Sequence, residues 1–409
     1  MFDLVDVIKS KSSAEKEKEV LTTVLFHQTE ECKQLIEEAY RFEDIAAPSV
    51  LENQDSLIQQ YVREENIEIV IVELNKSKSV MDDMHRISHL LPNSASVIVI
   101  GSEDSISTIR NLKSLGYYYV FWPISKQELI DFVRNVNENR NKNSGLGKGR
   151  AAKKVCVWGA KGGVGASFIT AALSMELSKD KNSSCLVVEH NFSGGNLDIF
   201  LAVSQFKKRE VSRGALANSL DETYALSMTR KIHEMLHVLA LESNDIADHE
   251  MKDYVRTISE NLSGQYNFIV EDLSSSANSL SDLTYVGQQA DVLVLVLEPT
   301  VSSLREAAFI QAKMEELGST TRCITVLNHT MHERSATVTV KDVEKFLNRK
   351  LDVVCPYEPQ LGKWVLEGKA IFQEKQAISS SLNTLTSLLL GEAIKPKRDS
   401  IFKRLFRGQ

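Results

Sequence analysis

The feature that most constrains the fold is a glycine-rich turn between a β-branched run and an apolar run. Residues 153–158 predict a strand and residues 168–177 predict a buried helix. Between them lies Lys161-Gly162-Gly163-Val164-Gly165-Ala166-Ser167. Glycines let consecutive N–H groups point inward and the helix adds its positive end, so the turn predicts an anion cradle shaped for a triphosphate. The alternative is a tight turn without a ligand; three glycines, a lysine and a helix-opening serine favour binding.

The turn departs from the usual phosphate loop, G-x-x-x-x-G-K-[ST]. Ala160 occupies the position of the motif's first glycine, and Ala166 occupies the position of its lysine. The loop's remaining lysine is Lys161. Lys-Gly-Gly-Val-Gly after the first strand resembles the deviant loop of the ParA/MinD family of dimerising ATPases. With Ala166 and Ser167 it is similar to the CpaE/TadZ branch. The resemblance covers about 150–390 and implies ATP and Mg²⁺ as cofactors, with Lys161 reaching across a homodimer to the partner's phosphates.

Further positions follow from the same resemblance. Asp272 ends a strand that resembles the family's second acidic strand, so Ser167 and Asp272 are the expected metal contacts. Asn328 matches the asparagine that reads adenine, and Pro356 matches the proline behind the base. The expected nucleotide-binding residues are Lys161, Gly162, Gly163, Val164, Gly165, Ala166, Ser167, Phe168, Asn328 and Pro356.

The hydrolytic position departs from the family. The strand after the loop helix normally ends Asp-x-Asp, whereas here Glu189 and Asn191 occupy those places. An amide does not accept a proton at neutral pH, which predicts nucleotide binding with slow or no turnover. Glu189 or Asp198 is a candidate substitute, and a fully active ATPase is the alternative. His190, between strand and loop, is interpreted as structural.

A chain of 409 residues predicts two domains. Short apolar, β-branched runs alternate with helical runs on both sides of an Asn- and Gly-rich segment, so the expected fold is α/β with two doubly wound domains. Besides the strand before the glycine turn, the runs predicted as strands are 22–26, 67–72, 96–100, 117–121, 185–189, 237–241, 268–271, 292–297, 323–327 and 353–355. The expected divisions are a 1–20 extension, a 21–136 domain, a 137–152 linker, a 153–392 nucleotide-binding domain and a 393–409 tail.

The 21–136 region resembles a response-regulator receiver in its order of elements. Phe26-His27-Gln28 replaces the acidic pair, Glu73 stands at the phosphorylated aspartate, and Trp122 stands at the lysine, while Ser102 is kept. These replacements predict a pseudo-receiver, without the usual phosphotransfer, that acts as a platform. The aromatic residues Tyr117, Tyr118, Tyr119, Phe121 and Trp122 are either an interface or core and strand-edge residues.

Several classes of protein are disfavoured. The chain has no run of about 18 apolar residues and no basic-then-apolar N-terminal segment, which predicts neither a membrane span nor a secretory signal, and a cytoplasmic location. Five widely spaced cysteines argue against zinc. The net charge of −7 makes nucleic acid an unexpected partner. As a helix, the basic 395–409 tail would have Ile401, Phe402, Leu405 and Phe406 on one face. Either this face contacts a membrane surface or a partner, or the tail is solvated.

The resemblance implies an ATP-dependent dimer that localises and scaffolds assembly of a Flp (tight-adherence) type IV pilus machine. The implied partners are pilus and secretion assembly proteins, including a secretion ATPase, at the inner face of the membrane or the cell pole. The alternative is an active MinD/ParA-like ATPase that organises the cell pole or partitions DNA.

Overall fold

The computed structural model describes residues 22–43, 45–64, 67–143, 150–203, 205–214, 221–275, 279–367 and 376–392. They form two compact units. The first contains the described residues up to Val80 and those from Ala95 to 143. The second contains Met81–Ser94 and the described residues from 150 onward. The predicted 1–20 extension and 393–409 tail lie outside the described residues, and the predicted domain boundaries stay a prediction.

The first unit is built on a parallel sheet whose strands follow the order β2-β1-β3-β4-β5. This is the flavodoxin-like order of doubly wound folds. Both faces of β3 are buried, as expected when helices cover both sides of a parallel sheet. The elements up to residue 143 are β1 (Thr23–His27), α1 (Glu30–Phe42), β2 (Ser49–Glu52), α2 (Asp55–Glu64), β3 (Ile69–Glu73), α3 (Val80–Ile87), β4 (Ser96–Gly101), α4 (Ile106–Ser114), β5 (Tyr118–Phe121) and α5 (Lys126–Asn143). Of these, α3 belongs to the second unit from Met81 onward.

The second unit starts its sheet with β6 (Lys153–Gly159), followed by the loop helix α6 (Ala166–Met175), which continues as a π-helical turn over Glu176–Asp180. The remaining elements are β7 (Cys185–Glu189), α7 (Leu197–Phe200), β8 (Arg209–Glu210), α8 (Glu222–Met228), β9 (Arg230–His233), β10 (Leu236–Glu242), α9 (Asp248–Asn261), β11 (Phe268–Asp272), α10 (Leu280–Gln289), β12 (Val292–Leu297), α11 (Val301–Glu316), β13 (Arg322–Asn328), α12 (Val340–Leu347), β14 (Val353–Cys355), α13 (Leu361–Leu366) and α14 (Ala377–Leu390).

The sheet of the second unit has the order β14-β13-β12-β6-β11-β7-β10-β8, with β9 pairing antiparallel to β10 and the other pairings parallel. In the sheet, β11 lies on one side of β6, and β12, the next strand along the chain, lies on the other side. The strand order therefore reverses beside β6, and ligands of open α/β sheets bind at the carboxyl ends of strands at such a switch point. The glycine turn follows β6 at this edge.

These two sheets confirm the predicted α/β fold class. The apolar runs predicted as strands correspond to β1, β3 to β7 and β10 to β14, within one or two residues at most ends. The short strands β2, β8 and β9 were not predicted. None of the helices in the described parts of the chain is long and apolar enough to cross a membrane.

The first unit's aromatic run is partly core, and its interpretation as an interface stays a prediction. Tyr117 is buried, whereas Phe121 is 48% exposed. The hydroxyl of Tyr119 donates to the carbonyl of Glu103 at 2.7 Å, close to Gly101 at the end of β4. Trp122 packs against the hydrophobic core from a partly buried position. The run thus combines core contacts with one exposed ring.

Candidate nucleotide-binding site

The glycine loop has the backbone conformation that its sequence predicts. Gly163 has a φ of +86°, and Gly165, the N-cap of α6, has a φ of +91°. Residues that carry a side chain rarely adopt such positive backbone φ angles. A Cβ added to Gly165 would also lie 2.5 Å from Nδ2 of Asn328. The loop therefore depends on glycine at 163 and 165, and it turns the chain directly into the N-terminus of α6.

Lys161 lies at the start of the loop with an exposed side chain. Its Nζ donates to the hydroxyl of Ser302 at 3.2 Å, at the N-terminal end of α11. Ala166, at the position of the usual lysine, is buried in the first turn of α6. The loop's lysine consequently lies on the surface of the unit, where it is accessible to a second molecule.

The two predicted metal contacts are brought together. Asp272 is buried at the end of β11, and the backbone N–H of Ser274 donates to its Oδ1 at 3.0 Å. The hydroxyl of Ser167, in the first turn of α6, donates to that of Ser274 at 3.0 Å. Burial raises the pKa of Asp272, while the neighbouring polar groups of Ser167 and Ser274 oppose that rise.

This donor set fits Mg²⁺ of the kind that phosphates share. The ion commonly takes one or two protein carboxylates and completes its shell with water and substrate phosphates. A nearby cation would stabilise the ionised form of the buried Asp272 carboxylate. Among the described residues, no group of three or more His, Cys, Asp or Glu could hold a metal by itself. Ser167 and Asp272 can therefore contribute to a shared site but do not form a complete one.

The strand β7 ends in a buried ion pair that the sequence did not suggest. Glu189 is 2% exposed, and its Oε2 lies 2.9 Å from Nζ of Lys208. Burial raises the pKa of Glu189 to about 7, and Asp272 and Asp198 add to the rise, although Lys208 lowers it. The only signal for Lys208 in the sequence is the short basic run Lys207-Lys208-Arg209. Asn191, which follows Glu189, is half-buried.

His190 is structural, as predicted. Its Nε2 lies 3.1 Å from Oε2 of Glu271, and neither side chain is exposed. The hydroxyl of Tyr285 donates to the other carboxylate oxygen of Glu271 at 2.6 Å. Burial by itself would raise the pKa of Glu271, but His190, Lys154 and Tyr285 bring it below its usual value. This group occupies the strand ends next to Asp272 and does not present His190 to a ligand.

The predicted adenine-side residues occupy adjoining strand ends, since Asn328 pairs with Cys355, which precedes Pro356. The amide of Asn328 donates to the carbonyl of Val164 at 2.9 Å, so it contacts the phosphate loop directly. The side chain of Phe168 is buried and packs edge-on against Phe200, with 5.7 Å between ring centroids. Any contact of Phe168 with a ligand would therefore involve its backbone.

The carboxylate of Glu73, in the first unit, is engaged in hydrogen bonds on both oxygens. Glu73 is fully buried at the end of β3. One carboxylate oxygen accepts from the backbone N–H groups of Gln28 and Thr29 at 2.6 and 2.8 Å. The other accepts from the Thr29 hydroxyl at 2.5 Å and from Nδ2 of Asn75 at 2.9 Å. Four donors hold this carboxylate against the start of α1.

No protein-family model matches the chain, and no curated protein sequence matches it. Similar solved structures include a ParA family ATPase from Chlorobium tepidum, with 21% identity over 58% of this chain and 99% of that chain, and a TM-score of 0.49. They also include the Aquifex aeolicus MinC:MinD cell division complex, with 23% identity over 60% of this chain and 99% of that chain, and a TM-score of 0.49. The septum site-determining protein MinD of Pyrococcus horikoshii, solved with Mg-ADP, has 17% identity over 58% of this chain and 96% of that chain, and a TM-score of 0.47.

Proposed function

We propose that the second unit binds ATP with Mg²⁺ and dimerises around it, and that this dimer is a localisation scaffold. The observation that carries the proposal is the glycine loop, in which Gly163 and Gly165 have positive φ angles. The loop leads directly into Ser167, which is linked to Asp272 through Ser274. Backbone N–H groups of residues 162–168 and the start of α6 would hold the phosphates. Asn328 and Pro356 would adjoin the base, and Ser167 and Asp272 would contribute to the Mg²⁺ shell.

Dimerisation rests on Lys161. Its side chain is exposed and its ammonium contacts a serine hydroxyl rather than a carboxylate. Giving up this 3.2 Å hydrogen bond to a hydroxyl would cost little, so the ammonium can turn toward phosphates held by a second copy. The resemblance of the loop to the ParA/MinD family supports the same role.

Slow or absent hydrolysis is the second part of the proposal. Asn191 can orient a water but cannot take its proton. Glu189, the nearest carboxylate along the chain, is buried and paired with Lys208. Loss of a general base costs about 10²–10⁴ in rate. ATP binding would then act as a lasting signal for assembly rather than as a rapid cycle.

The first unit would serve as a pseudo-receiver platform. The Glu73 carboxylate is occupied by four donors, and Trp122 replaces the lysine of working receivers. With the CpaE/TadZ-like loop, this supports a role in recruiting secretion proteins, including a secretion ATPase, for a Flp-type pilus. The location would be cytoplasmic, at the inner membrane face or cell pole, with 395–409 as a candidate surface contact.

The test is to titrate the full chain with ATP and Mg²⁺ by calorimetry, to measure its mass by light scattering, and to follow phosphate release for an hour. Retained ATP and a dimer without phosphate support the proposal. Turnover that is lost in Lys161→Ala would instead favour an active spatial organiser. Salt-sensitive DNA binding that requires ATP would favour DNA partitioning. No uptake at millimolar ATP would overturn the assignment.

A further inference from the structure

Lys208 lies between α7 and β8, and its side chain is only 13% exposed. Its ammonium has three oxygen partners: a carboxylate oxygen of Glu189 and the carbonyls of Asn191 and Gly194. A lysine has three N–H donors, so these three acceptors use all of them. We propose that Lys208 is a positioning residue for the nucleotide site, which holds the loop 190–196 in place.

The loop is fixed from the opposite direction as well. Gly195 has a φ of +112°, and a Cβ built on it would lie 1.9 Å from Oε1 of Glu189. The Glu189 carboxylate therefore packs directly against the loop backbone while its other oxygen pairs with Lys208. One ion pair thus secures two carbonyls and one glycine of the same short segment.

Lys208 is itself anchored to the sheet. The next residue, Arg209, begins β8, which pairs in parallel with the end of β10. Val211 is buried, and its N–H donates to the carbonyl of Glu242 at 2.9 Å. The lysine therefore connects the edge of the sheet to the loop that contains Asn191. Removal of the ammonium would leave the buried Glu189 carboxylate without its partner, which is costly in a desolvated site.

A direct phosphate contact is the competing role, and the geometry favours positioning. Because all three donors of Lys208 are engaged, contact with a phosphate would require it to release Glu189 or a carbonyl. The part of the inference that concerns the nucleotide rests on the proposed ATP binding. The part that concerns the loop does not.

The first test is hydrogen exchange of the full chain without added nucleotide. Lys208→Met keeps the side-chain length but removes the three donors, and peptides covering 190–197 should exchange at least about tenfold faster. Lys208→Arg should restore most of the protection. Lys207→Met, at the exposed neighbouring lysine, is the matched control and should exchange like the wild type. Unchanged exchange in Lys208→Met would overturn the inference.

Glu189→Gln is a second variant, which preserves side-chain volume and can be used even if Lys208→Met does not fold. It separates the positioning role of Lys208 from a direct phosphate contact. If Lys208 positions the loop, Glu189→Gln should also speed exchange over 190–197 and should weaken ATP binding in the same direction as Lys208→Met. If Lys208 instead contacts a phosphate, Glu189→Gln frees the ammonium and should leave ATP affinity equal or higher, which would contradict positioning. Wild-type protein that binds no ATP would refute the proposed function alone, since the exchange result needs no nucleotide.

Discussion

The side-chain amide of Asn328 donates to the carbonyl of Val164 at 2.9 Å, which joins the end of β13 to the glycine loop. The same amide nitrogen lies 2.5 Å from where a Cβ on Gly165 would stand. Asn328 therefore both supports the loop and limits what residue can follow Val164. A residue interpreted from sequence as a base contact is thus also part of the phosphate loop's own packing.

Gly165→Ala is expected to weaken ATP binding and to destabilise the second unit. The alanine would have to adopt a φ near +91°, which costs about 1–3 kcal/mol, and would displace Asn328. Calorimetric titration with ATP and urea unfolding would measure the two effects. Gly162→Ala is the matched control, because a Cβ at Gly162 meets nothing within 4 Å. Equal stability of the two variants would contradict this account of the loop.

Lys161→Ala is expected to abolish ATP-dependent dimerisation while leaving the fold unchanged. The side chain is exposed and its one described partner is the hydroxyl of Ser302, so its loss should change unfolding free energy by less than about 0.5 kcal/mol. Light scattering with and without ATP would measure dimer formation. Lys179→Ala, at another exposed lysine of the second unit, should dimerise normally. A Lys161→Ala protein that still dimerises on ATP would exclude the cross-dimer role.

Glu73→Ala is expected to destabilise the first unit by about 2–4 kcal/mol. The change leaves the N–H groups of Gln28 and Thr29, the Thr29 hydroxyl and the Asn75 amide without their acceptor. Urea unfolding would measure the loss, and Glu31→Ala, at an exposed glutamate of α1, should be near neutral. Wild-type protein treated with acetyl phosphate should show no added phosphate by intact mass. Phosphorylation at Glu73 would contradict the pseudo-receiver interpretation.

The parts of the molecule that sequence could predict are those whose signals are local. β12 is apolar at each position and buried throughout, and the loop's glycines meet backbone requirements within seven residues. β2 was missed because it is short and half-buried, so it carries no continuous apolar run. The pairing of His190 with Glu271 joins residues 81 positions apart, and that of Lys208 with Glu189 depends on β8 meeting β10. Such pairs follow from strand order, which residue patterns do not encode.

Glu176→Gln is expected to change how stability depends on pH. Glu176 lies in the π-helical turn after α6, where burial raises its pKa to about 7 and Asp180 adds to the rise, against the effects of Thr386 and Lys181. Between the ordinary value of 4.5 and about 7, the folded chain therefore binds more protons at this residue than the unfolded chain does. Stability contributed by this group falls as pH rises through that window and is level above it.

Glutamine does not titrate, yet its carbonyl can still accept the hydrogen bond that Thr386 donates to Glu176 at 2.5 Å. The stability of Glu176→Gln relative to the wild type should therefore increase from pH 4.5 to pH 7 by a few kcal/mol at most, since one pKa unit corresponds to about 1.4 kcal/mol. Urea unfolding at several pH values would measure this. Glu189, whose pKa is also raised, is present in both proteins, so its contribution cancels from the difference. Glu315→Gln, at an exposed glutamate, should parallel the wild type. A parallel curve for Glu176→Gln would show that burial does not hold Glu176 protonated.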